Sequence, residues 1–271
     1  MKNAFLSLML LIGSLVAGPA YSQQKKVAVV SIQADKLIHA EDLGGIDPAV
    51  LVYFKKIAVD PRFEVMPILL RFQKLFFTEF APQLPFQVLD EATVLNNPKY
   101  RAYNQEVKDT KLYRLAAELT DRIGIAPPGY HLLMFMGEPS LMGKLTRTED
   151  NSATTDIVRM FDGQADGIMV IGLSFSLANK RSALGFVTGS MVEKAAMKAY
   201  VTLDLYNKDG KRVFNIQESA YSEQDYTKVG GFALKLKVDD LLPMCESATN
   251  NLFEALKEKL PKMARRAGNR L

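Results

Sequence analysis

The residues in this chain that could do chemistry are few and widely separated. The single cysteine, Cys245, and the two histidines, His39 and His131, are spread over 271 residues. Cys245 falls on the apolar side of a helical pattern, which favours a small core residue over a nucleophile. Neither histidine has a second histidine, a cysteine or a carboxylate at metal-ligand spacing, and a zinc site needs three or four ligands. We therefore expect both histidines to be structural or exposed, and we predict no metal site.

Other motifs approach known catalytic patterns and then depart from them. Residues 172–176 (GLSFS) are similar to the G-x-S-x-G nucleophile elbow, but the second glycine is missing and no histidine follows. Residues 143–146 (GKLT) place leucine where a phosphate-binding loop needs serine or threonine. A group of acids lacks the spacing of a calcium loop, so we expect a solvated loop there: Asp35, Glu41, Asp42 and Asp47. The sequence predicts no catalytic residue and no cofactor.

The amino end has the pattern of a cleavable signal peptide over residues 1–22. One positive charge, Lys2, precedes an almost wholly apolar run at residues 4–16, and a glycine-proline pair follows. Small residues stand at the two positions that a signal peptidase reads, so we expect cleavage between Ser22 and Gln23. The apolar run is too short for a membrane span, which takes roughly 20 residues.

The pattern of the remaining chain limits location and partners. Beyond residue 22 no apolar run reaches membrane-spanning length, and no cysteine near the cleavage site could carry a lipid anchor. A formal net charge of +4, with basic and acidic residues interspersed, argues against nucleic acid. We expect an exported bacterial protein, periplasmic or extracellular, with outer-membrane association and homo-oligomerisation left open.

Five segments have the pattern of strands. The first is a continuous apolar run, typical of a strand buried on both faces, and two later ones alternate strictly. A turn at Asn207-Lys208-Asp209-Gly210 joins the last two as a hairpin. The predicted strands are Lys26–Gln33, Phe86–Leu89, Ile168–Leu177, Met197–Leu205 and Arg212–Ser219.

The two faces of the third and fourth of these segments differ in polarity. Large apolar residues follow one face of Ile168–Leu177, whereas the other face changes from Ile168 and Val170 to Gly172, Ser174 and Ser176. On Met197–Leu205 we expect the alternate residues to point outward: Lys198, Thr202 and Asp204.

Helical spacing predicts five helices between and after these strands. Pro48 begins the first, Thr154 or Thr155 caps the fourth, and Asp239 caps a long terminal helix that Pro261 kinks or restarts. The predicted helices are residues 48–59, 66–80, 110–123, 154–161 and 239–260. Residues 137–153 are rich in turn-forming and charged residues and predict an exposed loop. We expect residues 23–271 to form one α/β domain of the α+β kind, a mixed sheet of about five strands covered by helices with a long C-terminal helix.

The helix at Met66–Phe80 is the most hydrophobic part of the chain after the signal peptide. We expect Phe72, Leu75, Phe76 and Phe80 to face the core, with Leu70 and Phe77 as extra apolar residues at the edge of that stripe or outside it. Clustered exposed apolar side chains usually mark a contact site. Leu70 and Phe77 are therefore the candidate contacts with a partner, a second subunit or an apolar ligand.

The order of elements, together with four segments, resembles the envelope α/β domains of the curli-secretion lipoprotein (CsgG-like) type and the TolB amino-terminal type. The segments are KKVAVVSI at 25–32, PFQVLDEA at 85–92, QADGIMVIGLSFS at 164–176 and AYVTLDLYNKDGKRVF at 199–214. The resemblance covers about half of the exported chain and implies a non-catalytic assembly, scaffold or binding module of the envelope. The lipid-anchor cysteine of many relatives is missing here.

Three functions are compatible with these patterns. The first is a non-catalytic envelope module that binds a protein or polymer. The second is a carrier of a small apolar ligand, held between the sheet and the Phe-rich helix at Met66–Phe80. The third is a hydrolase of unrecognised type. A carrier needs a closed cavity beside that helix, whereas a scaffold needs an outer patch on it.

Overall fold

The computed structural model describes residues 24–41, 48–103, 123–133, 152–180, 194–227 and 236–265. They form a mixed six-stranded sheet with helices on both faces, which confirms the predicted α+β fold class. Among the described helices none is long and apolar enough to cross a membrane. The strands are β1 (Lys26–Glu41), β2 (Gln87–Val88), β3 (Gly124–Ile125), β4 (Gly167–Lys180), β5 (Lys194–Asn207) and β6 (Arg212–Thr227).

The sheet has the order β2-β1-β4-β5-β6, and β3 pairs with β1. β1 runs parallel to β2 and β4, and antiparallel to the short β3. β4, β5 and β6 form an antiparallel meander. The apolar first strand therefore lies inside the sheet, as a run that is buried on both faces requires.

The predicted first strand ended too early. β1 continues beyond Gln33 to Glu41 and stays paired with β4 as far as Ala178, with irregularities in register between Val29 and Ser31 and between Ala34 and Ile38. The polar stretch is a strand because β4 satisfies its backbone groups and because Ile38, which is 1% exposed, is anchored in the core.

The hairpin turn between β5 and β6 has the predicted position. Asn207 Oδ1 accepts backbone N–H groups of Asp209 and Lys211 at 3.1 and 3.0 Å, and Gly210 has a φ of 72°. This conformation favours glycine. A side chain at Gly210 would also meet Thr155 Oγ1 at 2.5 Å, so the turn packs closely on a neighbouring helix.

One sheet face is covered by three helices and a turn, and we call it the helix-covered face. Its core includes the aromatic rings of Phe72, Phe76, Phe80 and Phe253, which lie 5.6 to 6.5 Å apart where they are neighbours. The elements that cover it are α1 (Pro48–Ala58), α2 (Met66–Leu75), a π-helical turn (Phe76–Phe80) and α6 (Val238–Ala264). Phe72, Phe76 and Phe80 are buried as predicted, whereas Leu75 is half-buried.

The long terminal helix α6 is confirmed, but its start and its prolines differ from the prediction. Lys237 is the N-cap residue, and Asp240 rather than Asp239 accepts the Lys237 backbone N–H, at 2.8 Å. The helix continues through Pro261 to Ala264. Leu260 and Ala264 are both buried, and this packing holds the last turn although Pro261 cannot donate a backbone hydrogen bond.

On the opposite face of the sheet, the helices that the structure describes cover one end. They are α3 (Glu91–Leu95), α4 (Pro98–Arg101) and α5 (Ser152–Met160). α5 begins at Ser152, so Thr154 and Thr155 lie inside the helix and are not its caps. The helix ends as predicted before Gly163, which has a φ of 76°.

Several predictions fall outside the described residues. They concern the signal peptide with its cleavage site at Ser22 and Gln23, the helix at 110–123 apart from Ile123, and nearly all of the loop at 137–153. The GKLT motif and the acids Asp42 and Asp47 also lie outside them. The single domain over residues 23–271 stays a prediction.

Candidate functional site: the polar half of the opposite sheet face

The opposite face of the sheet has an apolar half and a polar half. In the apolar half Ala28, Val30, Ile168 and Val170 form a core with Tyr100, Phe161 and other side chains. Successive residues of a strand point to opposite faces of the sheet. Further along these strands, every second residue belongs to the helix-covered core. The residues between them therefore lie on the same face as the apolar half. These residues define the polar half: Gln33, His39, Gly172, Ser174, Ser176, Lys198, Tyr200, Thr202, Gln217, Ser219 and Tyr221.

The strand register arranges the polar half in three rows that cross the sheet. The first row is Gln33, Gly172, Thr202 and Gln217. The second is Ser174, Tyr200 and Ser219. The third is His39, Ser176, Lys198 and Tyr221. Neighbours in a row lie roughly 5 Å apart, so their side chains can act on one ligand.

The smallest side chains of the polar half follow the middle strand. Gly172, Ser174 and Ser176 on β4 lie between taller residues of β1 and β5 and form the floor of what we call the furrow. A side chain at Gly172 would meet Thr202 Oγ1 at 2.9 Å, so the backbone of β4 and the wall at Thr202 are in close contact. Glycine inside a strand often marks such a close approach.

Ser176 supplies a polar atom without a partner at one end of the furrow. Ser176 is 1% exposed, and its Oγ has no hydrogen-bond partner. An unpartnered buried hydroxyl costs about 1–3 kcal/mol, so such groups are rare in native folds and call for an explanation.

Gln33 forms a rigid part of the furrow's β1 wall. Its amide bonds the backbone of Leu133 in both directions, donating to the carbonyl at 3.3 Å and accepting the N–H at 3.0 Å. Ser31 Oγ lies 3.1 Å from Gln33 Oε1 and donates to the carbonyl of His131 at 2.9 Å. The segment 131–133 is thereby held against β1.

Lys198 is the basic residue of the β5 wall. Its Nζ lies 4.4 Å from the ring centroid of Tyr200 and 5.4 Å from that of Tyr221. Cation–π contacts of this kind fix the position of an ammonium group over the rings. Lys198 thereby lies over one face of each ring.

The register brings the residue types of a hydrolytic triad together without catalytic geometry. Asp35 Oδ2 lies 3.2 Å from His39 Nε2, and His39 is the β1 neighbour of Ser176. A nucleophilic serine needs a hydrogen bond to its base, and Ser176 Oγ has none. Ser174 and Ser176 also lie within β4, as the sequence predicted, and not at an exposed turn. The prediction that His39 lacks a neighbouring carboxylate was wrong.

Asp204 lies at the border between the two halves. The prediction that Thr202 and Asp204 point to solvent was wrong, because they are 8% and 0% exposed. Asp204 Oδ1 accepts hydrogen bonds from Asn215 at 2.9 Å and Arg212 at 3.2 Å, whereas Oδ2 has no partner. Burial raises the pKa of Asp204 above its usual value, although the bonds from Asn215 and Arg212 act in the opposite direction.

Cys245 and His131, two of the reactive residue types considered from the sequence, lie outside the polar half. Cys245 is fully buried on α6, and burial raises the pKa of its thiol well above the usual value. His131 Nε2 lies 2.8 Å from the carbonyl of Tyr100, with its ring edge-on to that of Tyr100. Within the described residues no group of three His, Cys, Asp or Glu side chains could hold a metal ion.

The predicted contact residues Leu70 and Phe77 differ in exposure. Leu70 on α2 is 41% exposed. Phe77 is half-buried and packs edge-on against Phe76, with ring centroids 5.3 Å apart. Their contact with a partner stays a prediction.

One pattern in the sequence indicated the polar half, but its residues on β1 were not predicted. The change from Val170 to Gly172, Ser174 and Ser176 along one face of β4 was visible in the alternation. His39 was missed because the segment after Gln33 has no strand pattern, and Gln33 was missed because nothing near it in the chain indicates that β4 lies beside it. No local pattern could show which strands lie beside β4.

Comparison with known proteins shows no family for this chain. No protein-family model and no curated protein sequence matches it. A minor lipoprotein from Acinetobacter baumannii is 9% identical, with a TM-score of 0.21, over 43% of this chain and 87% of that one. A protein described as a lipoprotein from Caulobacter crescentus CB15 is 13% identical, with a TM-score of 0.20, over 43% of this chain and 84% of that one. TM-scores of this size do not indicate a shared fold, and the resemblance to the CsgG-like and TolB types stays a prediction.

Proposed function

We propose that this chain is an exported, non-catalytic module of the bacterial cell envelope that binds a protein or polymer partner. The observation that carries this proposal is the polar half of the opposite sheet face. Most of its residues are half-exposed, on strands whose other face packs against the helix-covered core. A sheet face that is rigid, polar and accessible is suited to recognition, since its side chains are held before a partner arrives.

Export is part of the proposal and rests on the amino-terminal pattern. The run at residues 4–16 and the small residues before Gln23 support cleavage by a signal peptidase. Amino-terminal sequencing of the protein recovered outside the cytoplasm should begin at Gln23. A sequence that begins at Met1 in that fraction would instead indicate an uncleaved anchor.

The carrier of an apolar ligand is less well supported. Phe72, Phe76, Phe80 and Phe253 pack against one another, with the ring of Phe72 stacked on that of Phe253 at 5.6 Å. These ring contacts pack α2 and the π-helical turn against α6. The exposed Leu70 fits the scaffold alternative, which needs an outer patch on this helix.

A binding assay on native envelope fragments tests the proposal. The exported chain, starting at Gln23, should sediment with washed envelope, and Ser174→Leu should reduce this binding because it fills the middle of the furrow. Leu70→Ser tests the apolar contact separately, and Thr78→Val is a matched control because Thr78 is exposed on the helix-covered side. Failure of the wild-type chain to bind any envelope fraction would refute the proposed function.

A further inference from the structure

We infer that the furrow along β4 is a binding site for a linear glycan, with the hydroxyl of Ser176 as a buried contact. This inference rests on the proposed function and specifies the chemical class of the polymer. Its starting points are the small floor of Gly172, Ser174 and Ser176 and the unpartnered Ser176 Oγ.

The furrow has the shape for a narrow, extended ligand. Gly172 and Ser176 are four residues apart on one strand, so the floor is roughly 13 Å long. Taller side chains stand on both sides in the same register, Gln33 and His39 on β1 and Thr202, Tyr200 and Lys198 on β5. A ligand would therefore lie along β4 rather than across the sheet.

The lining of the furrow matches the chemistry of sugar hydroxyls. Serine, threonine and tyrosine hydroxyls both donate and accept hydrogen bonds. A sugar hydroxyl has the same dual capacity at every ring position. The chain has no tryptophan, and Lys198 lies over the rings of Tyr200 and Tyr221. Recognition would therefore depend on hydrogen bonds to hydroxyls rather than on sugar stacking.

Other polymers fit this surface less well. Extended peptides find backbone partners at the edge of a sheet, whereas this site lies on a face and offers side chains only. Nucleic acids need several phosphate-binding cations, and Lys198 is the one lysine or arginine among the residues that define the polar half. A lipid surface needs exposed apolar side chains, which the furrow floor does not have.

Ser176 connects the furrow to a ligand most directly. Its Oγ lies in the third row between His39 and Lys198, and it lacks the partner that a buried hydroxyl requires. A sugar hydroxyl that enters between these two side chains would supply that partner. The buried hydroxyl of Ser176 would then be hydrogen-bonded in the complex.

The test uses two forms of the envelope of the source organism: washed envelope, and the same material after protease digestion and detergent extraction, which leaves polysaccharide. The exported chain should co-sediment with both. Ser176→Ala should weaken binding to the digested material by roughly 3- to 10-fold, as expected for one lost hydrogen bond. Ser174→Leu should weaken it by at least about 10-fold because it blocks the floor. Thr78→Val, which removes an exposed hydroxyl bonded to the Lys74 carbonyl, should change nothing.

Stability measurements separate loss of binding from loss of fold. Ser176→Ala removes an unsatisfied hydroxyl, so its melting temperature should equal or exceed that of the wild type. Binding to washed but not to digested envelope would overturn the glycan and leave the proposed function standing, with a protein partner. If the wild type and both furrow variants bind with equal affinity, the glycan binds elsewhere on the protein and the furrow is not its binding site. Binding to neither material would remove both proposals.

Discussion

The two halves of the opposite sheet face are built on the same strands and have opposite character. Ile168 and Val170 on β4 are buried against α5 and the ring of Tyr100, whereas Ser174, four residues beyond Val170, is half-exposed and Ser176 has no hydrogen-bond partner. The helix-covered face shows no such change, because Met169, Ile171, Leu173, Phe175 and Leu177 all belong to one core.

The difference between the halves separates the residues that hold the fold together from the surface that we propose for binding. The apolar half and the helix-covered face bury large side chains, which stabilises the sheet. The polar half adds little apolar burial and contains an unsatisfied buried oxygen, Ser176 Oγ, and a second, Asp204 Oδ2, lies at its border. Its residue types therefore contribute little to stability, in keeping with the proposed role in recognition.

The largest expected effect comes from the apolar half. Phe161→Ala should lower the free energy of unfolding by about 3–5 kcal/mol, because Phe161 is 1% exposed and packs beside Tyr100. Tyr200→Ala in the polar half should cost about 1 kcal/mol or less. Urea unfolding of both variants measures the contrast, and equal losses would mean that the polar half is also core.

A second substitution probes the floor of the furrow. Gly172→Ala should cost about 1–3 kcal/mol, because the new Cβ would lie 2.9 Å from Thr202 Oγ1. Thr202→Ala removes this obstacle, so the cost of Gly172→Ala should fall in that background. A double-mutant cycle by chemical denaturation gives the coupling, and strict additivity would contradict the contact.

The helix-covered face provides a third comparison through Cys245. Cys245→Ala should lower the free energy of unfolding by about 1–2 kcal/mol through the loss of buried apolar volume. A bulky thiol reagent should label the native chain slowly, because Cys245 is 0% exposed and its thiol pKa is raised. Labelling of the native chain as fast as of the unfolded chain would show that this face is open.

The border residue Asp204 should show itself in the pH dependence of stability. The pKa of Asp204 in the folded protein lies above the ordinary value of 3.8. The stabilising contribution of this carboxyl group to the free energy of unfolding is therefore fully present below pH 3.8 and is lost as pH rises through the folded pKa. Asp204→Asn should remove that loss and stay within about 1 kcal/mol of the wild type at neutral pH, since Arg212 is partly exposed and can be solvated.

Asp166 is the matched control for this measurement. Its pKa is lowered, first by the backbone N–H of Lys26 and further by Lys208 and Lys25, so its contribution is lost as pH falls. Asp166→Asn should therefore remove a loss of stability that the wild type shows as pH falls, whereas Asp204→Asn removes a loss that the wild type shows as pH rises. Urea midpoints between pH 3 and 7 distinguish the two, and the same slope change in both variants would contradict the assignment of Asp204.

Local pattern was sufficient for much of this fold. Strict alternation on β4 and β5 predicted their strands and inner faces, because neighbouring residues of a strand point to opposite sides. The Asn207–Gly210 turn and the core face of α6, with Cys245 on it, followed from turn chemistry and helical spacing. These features depend on residues close together in the chain.

The polar half was decided by tertiary structure. The segment after Gln33 has no strand pattern, yet β4 pairs with it and brings His39 beside Ser176, 137 positions later in the chain. Ile38 in this segment is buried, and Thr202 and Asp204, which alternation alone predicts to face solvent, are buried as well. Strand order and register depend on backbone hydrogen bonds and burial between distant segments, so no local pattern of residues specifies them.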